Sequence, residues 1–127
     1  MKNNPLTTKQ IEQLATEVFN WLVDNEMWVD TAIYFNGKCW STHDEDCTEF
    51  CYNERRYFER KADPRNHFQY VREPNILSMS FEGDLYDVLN GYSYGWVKKD
   101  EEFRKIFEKY GLYFELGNAW NLSCYEI

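Results

Sequence analysis

Four residues of types that bind zinc follow one another at intervals of four positions: Cys39, His43, Cys47 and Cys51. Three thiolates and one imidazole can hold Zn²⁺ in a tetrahedral set. On a helix, Cys47 and Cys51 would lie one turn apart and could point at a common ion. The segment lacks a Cys-x-x-Cys pair, the usual backbone arrangement of such sites. A metal-site or enzyme domain built on these four residues is therefore an alternative hypothesis, and we predict no bound metal or cofactor.

The same cysteines also fit the apolar face of a helix. At helical spacing this face comprises Cys47, Phe50, Cys51, Glu54, Tyr57 and Phe58. A buried free cysteine behaves as a small apolar side chain, so we favour packing over metal binding. A cysteine nucleophile would need contact with His43 or His67 and an orienting third group, which the sequence does not supply. We therefore predict that the chain has no catalytic residue and is not an enzyme.

Basic side chains concentrate in residues 55–72, which contain six Lys or Arg and two Asp or Glu. Tyr57, Phe58, Phe68 and Tyr70 lie among them, and basic-plus-aromatic composition can bind single-stranded nucleic acid. The whole chain carries a formal charge of −8, which repels phosphate at long range. We favour neutralisation of acidic neighbours within the fold, so direct nucleic-acid binding is not expected.

Acidic side chains are concentrated in the two segments on either side of residues 55–72. Residues 1–54 and 73–127 each contain ten Asp or Glu. Spaced carboxylates on a rigid scaffold can take the place of duplex phosphates opposite Lys and Arg of a protein. Exposed aromatic rings would add the buried anchors that charge alone does not supply. The candidate partner-binding residues are Asp24, Glu26, Asp30, Asp44, Glu45, Asp46, Glu49, Tyr92, Tyr94 and Trp96.

The chain is unusual in combining this acidity with 5 Trp, 10 Tyr and 9 Phe among its 127 residues. Disordered acidic chains have few aromatics, whereas rings beside carboxylates suit docking on a basic, partly apolar surface. In composition the chain is similar to small acidic inhibitors that phages and mobile elements direct against host nucleases, such as anti-CRISPR and antirestriction proteins. The leading hypothesis is a nucleic-acid mimic that evades host defence by blocking a basic groove on a protein partner. An accessory protein–protein interaction domain is a further alternative.

Local patterns predict a helix at the start of the chain. Thr7 and Gln10 have the spacing of a capping box, and Leu6 and Ile11 that of a hydrophobic staple. Apolar residues then recur at helical intervals, so the helix should extend to about Asn25.

A hairpin should follow over residues 28–42. Its sequence is rich in β-branched and aromatic residues and turns at Asn36-Gly37, a preferred two-residue type I′ turn. This register pairs Ile33 with Trp40 and Tyr34 with Cys39.

The remainder predicts an α+β fold. A second helix should begin near Thr42, with Glu45 completing a capping box, and end before Pro64. We then expect a strand at 75–82, a short helix at 85–89 and a helix capped at Asp100. The chain should end in a hairpin at 112–127 that turns at Gly117-Asn118. The prediction is one α+β domain over 1–127, with about four helices on a mostly antiparallel sheet.

No apolar run approaches the ~20 residues of a membrane span. The first eight residues have no apolar signal-peptide core. We therefore expect a cytoplasmic protein with reduced cysteines and no membrane partner.

Overall fold

The computed structural model describes residues 6–66, 76–91 and 96–127. The first helix, α1, spans Thr8–Asp24. The Thr7 hydroxyl accepts the Gln10 amide and the Gln10 side chain accepts the Thr7 amide, so the predicted capping box is confirmed. The helix buries a stripe formed by Leu14, Ala15, Val18, Phe19 and Leu22.

Six strands within the described residues form one antiparallel sheet in the order β3-β2-β1-β4-β6-β5. The strands are β1 Thr31–Phe35, β2 Lys38–Ser41, β3 Phe58–Lys61, β4 Leu77–Phe81, β5 Leu112–Asn118 and β6 Asn121–Glu126. Two further helices are α2 Gly83–Leu89 and α3 Val97–Glu108, and a 3₁₀ turn covers Pro64–Asn66. The predicted α+β class is confirmed.

The first hairpin forms as its sequence predicts. Asn36 and Gly37 have φ values of +49° and +75°, which the two-residue turn requires. Ile33 pairs with Trp40 and Tyr34 with Cys39, so the predicted register is confirmed.

The two faces of the sheet bury different kinds of side chain. Large residues of one face, including Ile33 and Met79, share a core with the helices. The opposite face carries small residues at its centre, where Ser78 Oγ lies 2.6 Å from Ser123 Oγ. Burial on this face raises the pKa of Tyr34 to about 12.

The predicted second helix is wrong. Residues 42–57 form an irregular loop, and β3 follows where the helix should end. Cys47 and Asn53 have φ values of +57° and +56°, which no α-helix accommodates. The described residues therefore contain three α-helices instead of about four.

Two smaller boundaries also differ. The closing hairpin turns at Ala119 and Trp120 instead of Gly117-Asn118, because β5 continues to Asn118 across an irregularity in its pairing. The last helix begins at Val97, and Asp100 lies inside its first turn instead of capping it.

Candidate protein-interaction site

The four candidate zinc ligands do not come together. Cys39 is fully buried in a small apolar cluster with Ala32 and Tyr34, whereas Cys51 is fully buried in the main core. Cys47 is exposed. Within the described part of the chain, no group of three His, Cys, Asp or Glu side chains could hold a metal ion. The geometry gives the metal-site alternative no support.

Cys47 and His43 do make contact, with Sγ 3.5 Å from Nδ1. The same Nδ1 lies 2.9 Å from the carbonyl oxygen of Asp44. A carbonyl oxygen only accepts hydrogen bonds, so this contact assigns the proton to Nδ1. Nδ1 then cannot take a proton from Cys47, and the pair does not match a nucleophile with its general base. His67, the other histidine, lies outside the described residues.

The thiols should differ sharply in reactivity. Burial raises the pKa of Cys39 to about 11 and of Cys124 to about 12, and it also raises the pKa of Cys51. Because the thiolate is the reactive form, we expect a colorimetric disulfide reagent to react with one thiol of the native protein, that of the exposed Cys47. All four should react in guanidinium chloride. Cys47→Ser should abolish the native reaction, and two rapidly reacting native thiols would contradict the assignment.

Residues 43–54, named here the acidic loop, carry a group of exposed carboxylates. Glu45, Asp46 and Glu49 are all exposed. Among the described residues, no Lys or Arg lies within ion-pair distance of these three. Their charges are therefore available to an incoming cation.

Asp44 has a different role, because it organises the loop. Its Oδ2 accepts the Thr48 hydroxyl at 2.6 Å, and its Oδ1 accepts the backbone amides of Thr48 and Glu49 at 2.7 and 3.2 Å. These hydrogen bonds, first the one from the Thr48 hydroxyl, hold the pKa of Asp44 below its usual range. The Asp44 carboxylate therefore stabilises the conformation of the loop.

Two aromatic rings stand exposed on the same loop. The side chains of Phe50 and Tyr52 are 42% and 55% exposed. Their planes differ by 2°, and their centroids are 6.3 Å apart. The ring of His43 lies 6.2 Å from that of Phe50. Sequence reasoning assigned Phe50 to a buried helix face, although the two-residue spacing of Phe50 and Tyr52 is typical of extended chain with both rings on one side.

Basic residues beside the loop are neutralised within the fold. The Arg55 guanidinium contacts the Asp24 carboxylate and the Asn20 side-chain oxygen. Arg56 Nε donates to Glu54 Oε2 at 2.9 Å. These pairs agree with the neutralising interpretation of the basic segment, and they leave Asp24 less available to a partner.

The other predicted partner-binding residues are dispersed. Glu26 and Asp30 are exposed beyond the end of α1, and both have positive φ. Trp96 is half-buried and packs against the main core, so only part of its ring is exposed, and its role as an anchor stays a prediction. Tyr92 and Tyr94 lie outside the described residues.

No family model matches this chain, and no curated protein or solved structure matches it. Within the described residues, no helix combines the length and apolarity needed to cross a bilayer.

Proposed function

We propose that this protein is an interaction protein that docks its acidic loop into a basic nucleic-acid groove on an enzyme and blocks that groove sterically. Its mode of action would be that of phage or mobile-element inhibitors of the anti-CRISPR or antirestriction type. One observation carries the proposal: three exposed carboxylates that form no ion pair with a described Lys or Arg share a loop with two exposed parallel rings.

Each part of this surface has a physical task. Glu45, Asp46 and Glu49 would meet Lys or Arg side chains that otherwise hold phosphates. The net charge of −8 would accelerate encounter with a positive groove. Phe50 and Tyr52 would enter the apolar part of the partner surface, where desolvated aromatic anchors supply most of the binding energy.

The loop is also organised before binding. Asp44 fixes Thr48 and Glu49, and Asn53 exchanges hydrogen bonds with the backbone of Trp28 at 2.9 Å in both directions. A loop already held in its binding conformation loses less conformational entropy when it docks. This favours a docking role over a merely solvated acidic segment.

Affinity capture with competition tests the proposal. The tagged protein is incubated with a nuclease-treated bacterial lysate that contains CRISPR and restriction enzymes, and retained proteins are identified by mass spectrometry. We expect to retain a nucleic-acid enzyme whose association with the tagged protein persists after nuclease treatment. Added DNA or guide RNA should displace this enzyme. Reproducible capture of a partner without a basic groove would instead favour an accessory interaction domain.

Neutralising the loop should weaken this complex. We expect the triple variant Glu45→Gln, Asp46→Asn, Glu49→Gln to lose about tenfold or more in affinity at low salt and to show a shallower salt dependence. Asp44 is left unchanged because its replacement would disturb the loop. The matched control removes the same charge from α3 and β6 through Glu101→Gln, Glu108→Gln and Glu126→Gln. Equal losses in both triples would show that net charge, and not this loop, determines binding.

A further inference from the structure

A cleft of about 290 Å³ opens beside the acidic loop, at the end of the sheet where β1 begins and β4 ends. Its walls include Asp30, Thr31, His43, Ser80, Glu82 and Trp120. The volume lies just below the ~300–1,000 Å³ of pockets for drug-sized ligands. The cleft therefore fits one side chain better than a cofactor.

Backbone hydrogen bonds join the chain segments that surround this cleft. Thr31 pairs with Phe81 across β1 and β4, and the amide of Thr42 donates to the carbonyl of Thr31 at 3.1 Å. The amide of Phe81 donates to the carbonyl of Trp120 at 2.8 Å, which ties the β5–β6 turn to the end of β4. The cleft is thus preformed and does not have to be assembled by a ligand.

The chemistry of the lining suits a cation. Asp30 and Glu82 are exposed carboxylates, and within the described residues neither is in ion-pair distance of a Lys or Arg. Glu82 precedes α2 but makes no side-chain capping bond with it. His43 also lines the cleft, and its Nδ1 is occupied by the carbonyl oxygen of Asp44 at 2.9 Å, so Nε2 is its other polar atom.

Trp120 brings an aromatic residue to the lining of the cleft. Its side chain is 40% exposed, and its amide donates to the Asn118 side-chain oxygen at 3.0 Å, which fixes the turn that carries it. Aromatic faces attract cations, and a guanidinium both stacks on an indole and binds carboxylates through paired N–H groups. An ammonium group is attracted by the charges and by the ring, but it cannot stack on the indole or form paired N–H bonds.

We infer that this cleft receives an arginine side chain of the partner. The inference deepens the proposed function and depends on it for the source of the arginine, while the recognition chemistry is a property of the cleft alone. His43 both lines the cleft and begins the acidic loop, so the arginine would bind at the edge of the same interface.

A titration with N-acetyl-L-arginine amide tests the inference without a protein partner. Binding is followed by two-dimensional ¹H–¹⁵N NMR at the Trp120 indole and at the Thr31 and Glu82 amides. We expect saturable shifts at these positions, with N-acetyl-L-lysine amide binding several-fold more weakly. The isosteric double variant Asp30→Asn, Glu82→Gln should bind the arginine probe at least about tenfold more weakly. The control Glu101→Gln, Glu108→Gln, with the same charge change, should not.

Absence of saturable shifts, equal binding of both probes or undiminished binding by the double variant would each overturn the inference. These outcomes are independent of affinity capture. Arginine-probe binding in a protein that captures no basic partner would leave the cleft established and the proposed function rejected. Capture of a partner that DNA displaces, together with no saturable NMR shifts at the cleft, would support the proposed function and reject the arginine site.

Discussion

Replacing Phe50 and Tyr52 together by serine is expected to weaken binding of the captured partner about 100-fold, equivalent to about 3 kcal/mol. Both rings are substantially exposed in the free protein, so their loss removes little packing there. The free energy of unfolding should therefore change by no more than about 0.5 kcal/mol. Binding is measured by calorimetry against the purified partner, and stability by urea denaturation of the same samples.

A matched control removes a ring of similar exposure elsewhere. Tyr113 on β5 is 40% exposed, and Tyr113→Ser should leave partner binding unchanged. Unchanged binding by the Phe50/Tyr52 variant would remove the acidic loop from the interface. Binding lost in parallel with a large loss of stability would mean that the rings support the loop instead of contacting a partner.

The elements that the sequence predicted well are those that local interactions determine. The capping box of α1 joins residues three apart, and the first hairpin depends on a turn whose two residues must both adopt positive φ. Short-range patterns contain all of this information. Sheet order, in contrast, places β4 between β1 and β6 through contacts that no local pattern encodes.

The loop at 42–57 shows why local evidence failed there. A capping-box pattern at Thr42 and Glu45 and an apolar face at helical spacing both indicated a helix. Trp28 instead binds the far end of this segment through hydrogen bonds that span 25 and 28 residues, and Asp44 diverts the amides of Thr48 and Glu49. Polar side chains that bond nearby backbone compete with helix formation, and tertiary contacts decided the competition.

In the candidate site, too, the sequence predicted some features and not others. The structure places the predicted carboxylates Glu45, Asp46 and Glu49 on an exposed surface, as their clustering suggested. The sequence could not predict which aromatic rings are exposed, because an aromatic residue fits a core as well as a surface. Trp96 packs inward and Phe50 outward, and only the path of the chain distinguishes them.

Trp28 is where the core and the acidic loop meet, and its replacement should have the largest effect on stability. The side chain is fully buried and meets Phe19 edge-on at 5.1 Å. Its Nε1 donates to the carbonyl of Arg56 at 3.0 Å, just beyond the loop. Trp28→Ala should cost about 3–5 kcal/mol, a large part of the ~5–15 kcal/mol that stabilises a typical domain.

Trp28→Phe separates packing from anchoring, because it keeps an aromatic ring and removes the donor to Arg56. That carbonyl would keep only the weak hydrogen bond from the Cys51 thiol at 3.6 Å. The change should therefore cost about 1–3 kcal/mol in urea denaturation and accelerate hydrogen exchange at Thr48 and Glu49. Trp21→Phe is the control, since the Trp21 indole donates to Glu102 on α3, away from the loop, over a longer 3.4 Å. If partner binding also falls in Trp28→Phe while Phe50 and Tyr52 remain, loop order contributes to affinity. Accelerated exchange with undiminished binding would instead mean that the partner can order the loop itself.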